Sequence, residues 1–461
     1  AGNGWVFNIG EKVQGNSSPL FTIICTAIIY LVGSDTLPSA IRLILLLSSL
    51  ASIFLLWKIL SQIHEIARFV VLILFALYPK VVLINISGME SPLVIMLMIL
   101  TFYLIKNKSY TSASFFFGLL LLCRIDSVAW ISVLILSTLF AHKNFSYKLI
   151  GVMLALYIPW LIFSQVYFGS LLPHSIVAKN VSWQHLFPLF DPIRVLSGYF
   201  PFQGLEGYPE LLKILFILIL LFPIITELIR LYKERNMLIT FPLFFTLYNL
   251  FYSFGRVVMA DWYYLPGYIT YFITLGLLVN RFLNTNKIKK ISFTNSSVLK
   301  YSIASVLVLL LYLGAVRWAD NPGGLFLRQN KQLGLWLKNN ANTDASVLVE
   351  PIGYIGWESN LYIHDYIGLV SPLVVTARKQ SPNSDSWFLK YIRDRKPDFI
   401  VLRDWEVPRN SLFHGNSDVM FKSDTDKVWF NANYELRNWN PDVAKRDSVY
   451  IVLYAKVIAK L

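Results

Sequence analysis

The chain has 461 residues, of which 56% are hydrophobic and only 15% charged, with a formal net charge of +14. Soluble domains carry about 25% charged residues, so an ordinary soluble protein is excluded. The basic residues gather in short loops and not on an aromatic-interleaved soluble face, which argues against a nucleic-acid partner.

The first informative stretch, "NIGEKVQGNSSPL" from Asn8 to Leu20, is polar and glycine-punctuated and leads straight into apolar sequence. From Leu20 to about Arg317, apolar runs follow one another, among them "LFTIICTAIIYLV", "FVVLILFALY", "ILFILILLFPII" and "SIASVLVLLLYLGAV". Several approach the roughly 20 residues a membrane helix needs and others are shorter, so about ten membrane segments are expected. From about Ala319 onward the composition is that of a soluble domain. There "FLRQNKQLGLWLKNN" has helical spacing, "ASVLVEP" and "DFIVL" read as buried strands, and "SVYIVLYAKVIA" reads as a terminal strand. The fold class expected is therefore a polytopic α-helical membrane domain followed by a C-terminal α/β extracytoplasmic domain. Its divisions are 1–19, 20–317 and 318–461. Cys25 and Cys123 both lie in apolar runs, which indicates neither a disulfide framework nor a zinc site.

Basic turns occur at "KNK" (Lys106), "HKNFSYK" (His142), "RLYKER" (Arg230) and "NKIKK" (Asn286). Placing them on the cytoplasmic side puts "SGMESP", "CRIDS", the loop from Phe168 to Glu210, "GRVVMADWYY" and the soluble domain on the other. One count does not close. If 20–33 and 39–57 both cross, Lys58 to Arg68 fall outside, so either one of them fails to cross fully or two later short helices are half-membrane pieces.

Ionisable groups at membrane boundaries are costly and draw attention as functional candidates. Glu90 in "SGMESPL" is either a helix-start acid favoured by the dipole or a carboxylate facing an outer cavity. Arg124 and Asp126 interrupt the apolar run from Phe115 to Phe140, which is too long for one short helix and so predicts two helices meeting at a polar tip. The pair either neutralises itself in a hairpin or presents an arginine that grips phosphate with its planar fork, oriented by the carboxylate. His174 and Lys179, in "YFGSLLPHSIVAKN", suit a lipid-phosphate headgroup and equally suit ordinary anionic-lipid contact. Asp261 stands in "MADWYYLP", where Trp262 and the tyrosines read as an interfacial aromatic belt. Asp365, in "HDYIGLVSP", is a strand-end carboxylate suited to sugar hydroxyls, to a metal or to capping a turn. The Asn-X-Ser triplets, such as Asn16–Ser18, are weak signals. Metal clusters, a nucleophile elbow, a P-loop and a dinucleotide fingerprint are missing from the sequence. A donor delivered within the membrane therefore fits better than a nucleotide-linked one.

The order of these motifs resembles the GT-C glycosyltransferase superfamily, in the branch related to the mycobacterial arabinofuranosyltransferase AftB. Asn8, Gly10, Glu11, Val13, Gly15, Ser18, Pro19 and Leu20 match the end of that family's first outer loop, Asn-Pro-Gly-Glu-Arg-Val-Glu-Gly-Tyr-Thr-Ser-Pro-Leu. Ile9, Lys12 and Gln14 depart from it. "SGMESPL" is similar to Ser-Gly-Met-Glu-Thr-x-Leu, "CRID" to Thr-Arg-Pro-Asp, "FGSLLPHSIVAK" to Tyr-Gly-x-x-x-Pro-Asn-Thr-x-x-x-Lys, and "IGYIGW…HDYIGLVSP" to Gly-x-x-Gly-Tyr…Asp-x-x-Gly-Leu. The resemblance implies an inverting sugar transfer from a polyprenyl-phosphate sugar to a glycan, lipid or protein acceptor at the outer face of a bacterial cytoplasmic membrane. It implies Arg124, Lys179 and His174 at the donor phosphate, and Glu11, Glu90, Asp126, Asp261 and Asp365 around the cavity and acceptor. It leaves a divalent cation open and demands no other cofactor. The family's catalytic aspartate pair would precede Ala1, so the expectation is a chain lacking its first helix and its base. The competing expectations are a lipid-linked glycan flippase and an inactive homologue.

Overall fold

The computed structural model describes residues 3–142, 147–183, 188–200, 209–256, 258–284, 305, 323–380, 386–403, 406, 423–439 and 451–457. The apolar run "SIASVLVLLLYLGAV", apart from Ser305, and the turn "NKIKK" lie outside the described residues. The chain divides into two compact units. One comprises 17–163 and 186–319; the other comprises 1–16, 164–185 and 320–461.

The first unit is helical: α1 Pro19–Val32, α2 Leu37–Ile59, α3 Glu65–Leu77, α4 Pro79–Ile86, α5 Ser91–Lys106, α6 Tyr110–Cys123, α7 Val128–His142, α8 Lys148–Phe168, which runs on into the second unit, α10 Pro192–Ser197, α11 Glu210–Lys233, α12 Thr240–Phe254 and α13 Leu265–Leu283. Between α8 and α10 the second unit contributes α9, His174–Trp183. Among the described residues five helices are long and apolar enough to cross a membrane, six if the α3–α4 pair, bent by 49°, is one span. Ten segments are expected from the sequence; one of those apolar runs falls almost wholly outside the described residues, and others form helices shorter than a full span. α1 and α6 have 14 residues each and α5 has 16. At about 1.5 Å per residue, none of them alone covers the roughly 30 Å hydrocarbon layer.

Lipid offers no hydrophobic drive between helices, so close packing and satisfied hydroxyls must hold the unit together. α2 lays Ser48, Ser49 and Ser52 in its buried stripe, toward α5. Their hydroxyls bond back to Ile44 O, Leu45 O and Ser48 O at 2.8, 3.0 and 2.8 Å, so no polar atom is stranded. Trp130 Nε1 of α7 donates to Thr101 Oγ1 of α5 at 3.1 Å. Gly267 admits the ring of Tyr199, since a Cβ there would stand 1.7 Å from the tyrosine hydroxyl.

Side-chain links sort the helix ends. Lys106 Nζ donates to Ile59 O at 3.0 Å, Asn280 Oδ1 accepts from His64 N at 2.8 Å, and Arg281 lies 3.5 Å from Glu227. The basic ends of α2, α5, α11 and α13 thus share one end of the unit with the start of α3. Leu37, at the opposite end of α2, lies away from it. Ser18, just before α1, lies against Cys123 at the far end of α6. The short helix α1 therefore begins and finishes away from the basic end.

In the second unit the sheet strands are β1 Ser346–Val349, β2 Tyr362–Asp365, β3 Phe399–Arg403, β4 Tyr434–Arg437 and β5 Ile451–Lys456, in the order β2-β1-β3-β5-β4. β1 runs parallel to β2 and β3, while β5 is antiparallel to β3 and β4. Val347 and Val349 face a core with Leu333, Leu337 and Ile355, whereas Leu348 faces Phe388, Ile392 and Phe430. Helices on both faces explain why "SVLV" and "FIVL" are continuously apolar instead of alternating.

Candidate functional site

In the helical unit, α6 stops at Cys123 because Arg124 takes an extended conformation (φ −157°, ψ 126°), followed by a 3-10 turn at Ile125–Ser127 and then α7. The polar tip expected of "LLCRIDS" is this break. Arg124 is 4% exposed. Its Nε donates to Asp126 Oδ1 at 3.0 Å and its Nη2 to Oδ2 at 2.5 Å, so Asp126 occupies that whole edge of the fork. Nη1 reaches Trp262 O at 3.5 Å and lies 4.0 Å from Glu90 Oε1. The guanidinium stands 4.7 Å from the ring centre of Tyr263, a cation–π contact. Asp126 Oδ2 also accepts from the hydroxyls of Tyr252 (3.0 Å) and Tyr248 (3.5 Å). One arginine against Glu90 and Asp126 leaves this buried cluster formally one charge negative.

Two features of this cluster escaped the sequence reading. Tyr248 and Tyr252 sit four apart on α12, hence on one face, and that spacing was the available signal. Tyr263 had been discounted as belt sequence, yet its ring supports Arg124. Asp261 is exposed and interacts electrostatically with Lys80. Lys80, at the start of α4, donates to Gly198 O at 2.8 Å and was not singled out because a single cation in "PKVVLINI" carries no motif.

The remaining candidates belong to the second unit, and three sequence motifs meet there. Asn8 Nδ2 donates to Ile363 O (2.9 Å) and its Oδ1 accepts from Ile363 N (3.0 Å), so one amide side chain completes the free edge of β2. Glu11 accepts from Tyr362 Oη at 2.5 Å and from Asn8 Nδ2 at 3.1 Å. Gly15 lies against the 366–371 loop, where a Cβ would stand 2.5 Å from Val370 Cγ1. His174 N donates to Gln14 O at 2.9 Å, the start of α9. Its imidazole stands near the Gly368 backbone, and burial with the nearby Lys379 lowers its pKa. Lys179 is half-buried on the same helix.

Asp365 Oδ1 accepts from Ile367 N (2.9 Å) and Oδ2 from Val370 N (3.1 Å), while its own N–H donates to Ser371 Oγ (2.9 Å). Burial raises this carboxyl above its ordinary value, against the pull of the backbone donors. With both oxygens engaged, Asp365 has the geometry of a loop cap. His364 Nδ1 pairs with Tyr391 Oη at 2.8 Å, and burial with the nearby Arg395 brings its pKa down to about 4. Among the described residues no group of three or more His, Cys, Asp or Glu is placed to hold a metal ion.

Residues 324–453 match a family described as a domain of unknown function (DUF8728). That match covers the C-terminal α/β domain and assigns it no activity. No curated protein matches the chain. Among solved structures it is similar to the arabinofuranosyltransferase AftD from Mycobacteria, in a mutant form, at 15% identity and a TM-score of 0.38. The alignment covers 90% of this chain and 34% of that one, so the chain spans about a third of its length. At that score the likeness carries no weight for fold or activity, and nothing in it points to the AftB branch.

Proposed function

We propose that this chain is a membrane glycosyltransferase that moves a sugar from a polyprenyl-phosphate donor to a cell-envelope acceptor at the outer face of a bacterial cytoplasmic membrane. The observation that carries the reading is the buried Glu90–Arg124–Asp126 cluster. It is built from two of the five resembling motifs, at the end of the helical unit away from its basic turns. The other three motifs, around Asn8–Gly15, His174 and Asp365, come together in the second unit. Two separate groupings of the resembling motifs, one within each unit, support the reading.

In the reaction an acceptor hydroxyl oxygen attacks the anomeric carbon, the bond from that carbon to the phosphate oxygen breaks, and polyprenyl phosphate departs with the electron pair. The acceptor proton passes to a carboxylate. Arg124 meets the departing phosphate through Nη1, the part of its fork that Asp126 leaves uncommitted, while the Nε–Nη2 edge keeps it aimed. Lys179 and His174, in the second unit, are the lesser candidates for binding phosphate. Glu90 and Asp261 belong to the cavity, and the half-buried Glu11–Tyr362 pair offers a carboxylate and a phenol to acceptor hydroxyls. Asp365 serves by holding the 366–371 loop. Arg124→Ala in the complete protein is expected to abolish sugar transfer with expression intact; near-normal turnover would remove Arg124 from the mechanism.

A second reading, a lipid-linked glycan transporter, is favoured by one observation. The α3–α4 pair is bent by 49° next to Lys80, and broken helices carrying ionisable groups are typical of transporters. The readings part on whether a sealed membrane is needed.

A further inference from the structure

Helix α9 carries its polarity the wrong way round for a helix bathed in water. Its buried residues are Ser175, Ala178 and Ser182, and Ser182 Oγ donates to Ile367 O at 3.0 Å. Ile176 and Val177 are 39% and 36% exposed. Leu171 and Leu172, just before the helix, are 49% and 51% exposed. A surface helix in water does the reverse, turning its aliphatic residues inward. The four exposed aliphatic side chains fall within 171–177, and the next exposed position along the helix is polar, Asn180.

The chain itself indicates what covers this face. α8 is a 21-residue candidate membrane span that ends at Phe168. Only Gly169 and Ser170 separate it from Leu171, which is three Cα steps, or about 10 Å at most, from Phe168. Leu171 therefore stays close to the layer in which the span finishes. The junction also doubles back. Gly169 adopts φ +74°, the left-handed conformation that ends helices, and Ser164 Oγ donates to Ser170 O at 2.7 Å, clasping the turn onto the last turn of α8.

We propose that residues 171–177 are an interfacial anchor. The aliphatic side chains of Leu171, Leu172, Ile176 and Val177 dip into the acyl boundary of the leaflet in which α8 ends, and Asn180 lies at headgroup level. Interfacial helices bind by burying one apolar face at that depth while the opposite face stays polar. Here the opposite face is spent on the 366–371 loop, so the anchor fastens the α/β domain to the membrane surface. The proposal rests on α8 spanning a membrane and is independent of the glycosyltransferase reading.

The test is a depth measurement on the complete protein in lipid nanodiscs. Single spin labels are placed at Leu172→Cys, Val177→Cys and Asn180→Cys in a Cys25→Ser background, with the buried Cys123 retained. The expected result is that oxygen relaxes the labels at 172 and 177 more strongly than a water-soluble nickel chelate does, with the ratio inverted at 180. Nickel dominance at 172 and 177 would overturn the proposal, as would labels shielded from both reagents, which would mean a protein cover. Should the labelled variants misfold, the wild-type protein is irradiated with a lipid carrying a photoactivatable group on its acyl chain. Acyl cross-links in the 171–177 peptide are expected, and their absence alongside cross-links in α8 would refute the anchor.

Discussion

Removing Asp126 should be among the most damaging single changes in the helical unit. Arg124 is 4% exposed, and Asp126 supplies the acceptors for its Nε (3.0 Å) and Nη2 (2.5 Å). In Asp126→Ala the nearest remaining carboxylate is Glu90, 4.0 Å from Nη1 on the other side of the fork. A buried cation stripped of its partner costs about 3–5 kcal/mol. The reverse change is milder. Arg124→Met leaves Asp126 with the Tyr252 and Tyr248 hydroxyls and a side chain 19% exposed, for a loss of about 1–3 kcal/mol. The double variant Arg124→Met/Asp126→Ala should cost less than the sum of the two, with a coupling energy of about 2 kcal/mol. Unfolding of the detergent-solubilised protein, followed by tryptophan fluorescence across the four members of the cycle, reads these quantities. A cost below about 1 kcal/mol for Asp126→Ala, or strict additivity, would refute the claim that the pair is buried and mutually dependent.

In the α/β domain, the pKa of His364 falls from 6.5 to about 4, which means that folding favours the neutral imidazole. Its contribution is complete above about pH 6.5 and is lost as pH falls toward 4, a change of up to about 3 kcal/mol. Protection from hydrogen exchange at Tyr362–Asp365, taken relative to the intrinsic rate at each pH, should fall over that window in the wild-type protein and much less in His364→Gln. Asn8→Ala removes both bonds to Ile363 and should speed exchange at its amide by about tenfold, equivalent to about 1.4 kcal/mol. Gly267→Ala sets a methyl 1.7 Å from the Tyr199 hydroxyl and should destabilise the helical unit by about 1–3 kcal/mol. Tyr199→Phe in the same chain should recover part of that loss, as measured by the shift in melting temperature.

The apolar runs made the helices legible, and β1, β3 and β5 lie where "ASVLVEP", "DFIVL" and "SVYIVLYAKVIA" placed them. Crossing number was less legible, because it depends on helix length and on whether a short element such as α1 lies across or along the layer. Within the site, Arg124 and Asp126 stood out because charge in an apolar run is conspicuous. Tyr248 and Tyr252 did not, since aromatic residues are commonplace in membrane helices and only the fold brings their hydroxyls to Asp126. The strip at Asn8–Gly15 was conspicuous for its polarity, but its partner, the edge of β2, lies more than three hundred residues away in sequence, and periodicity carries no information over such distances. Asp365 illustrates the opposite limit: a strand-end carboxylate looks the same whether it binds a ligand or caps its own loop, and only the two backbone N–H bonds separate those cases.

The most direct test of the central claim follows a labelled sugar on a polyprenyl-phosphate donor, mixed with envelope acceptor and the complete protein in detergent, where no compartment exists to transport across. The account predicts that label passes to the acceptor with inversion at the anomeric carbon, that one polyprenyl phosphate is released per sugar moved, and that Arg124→Ala stops both. Intact donor in detergent, together with donor crossing the bilayer of sealed vesicles that contain the same protein, would contradict it.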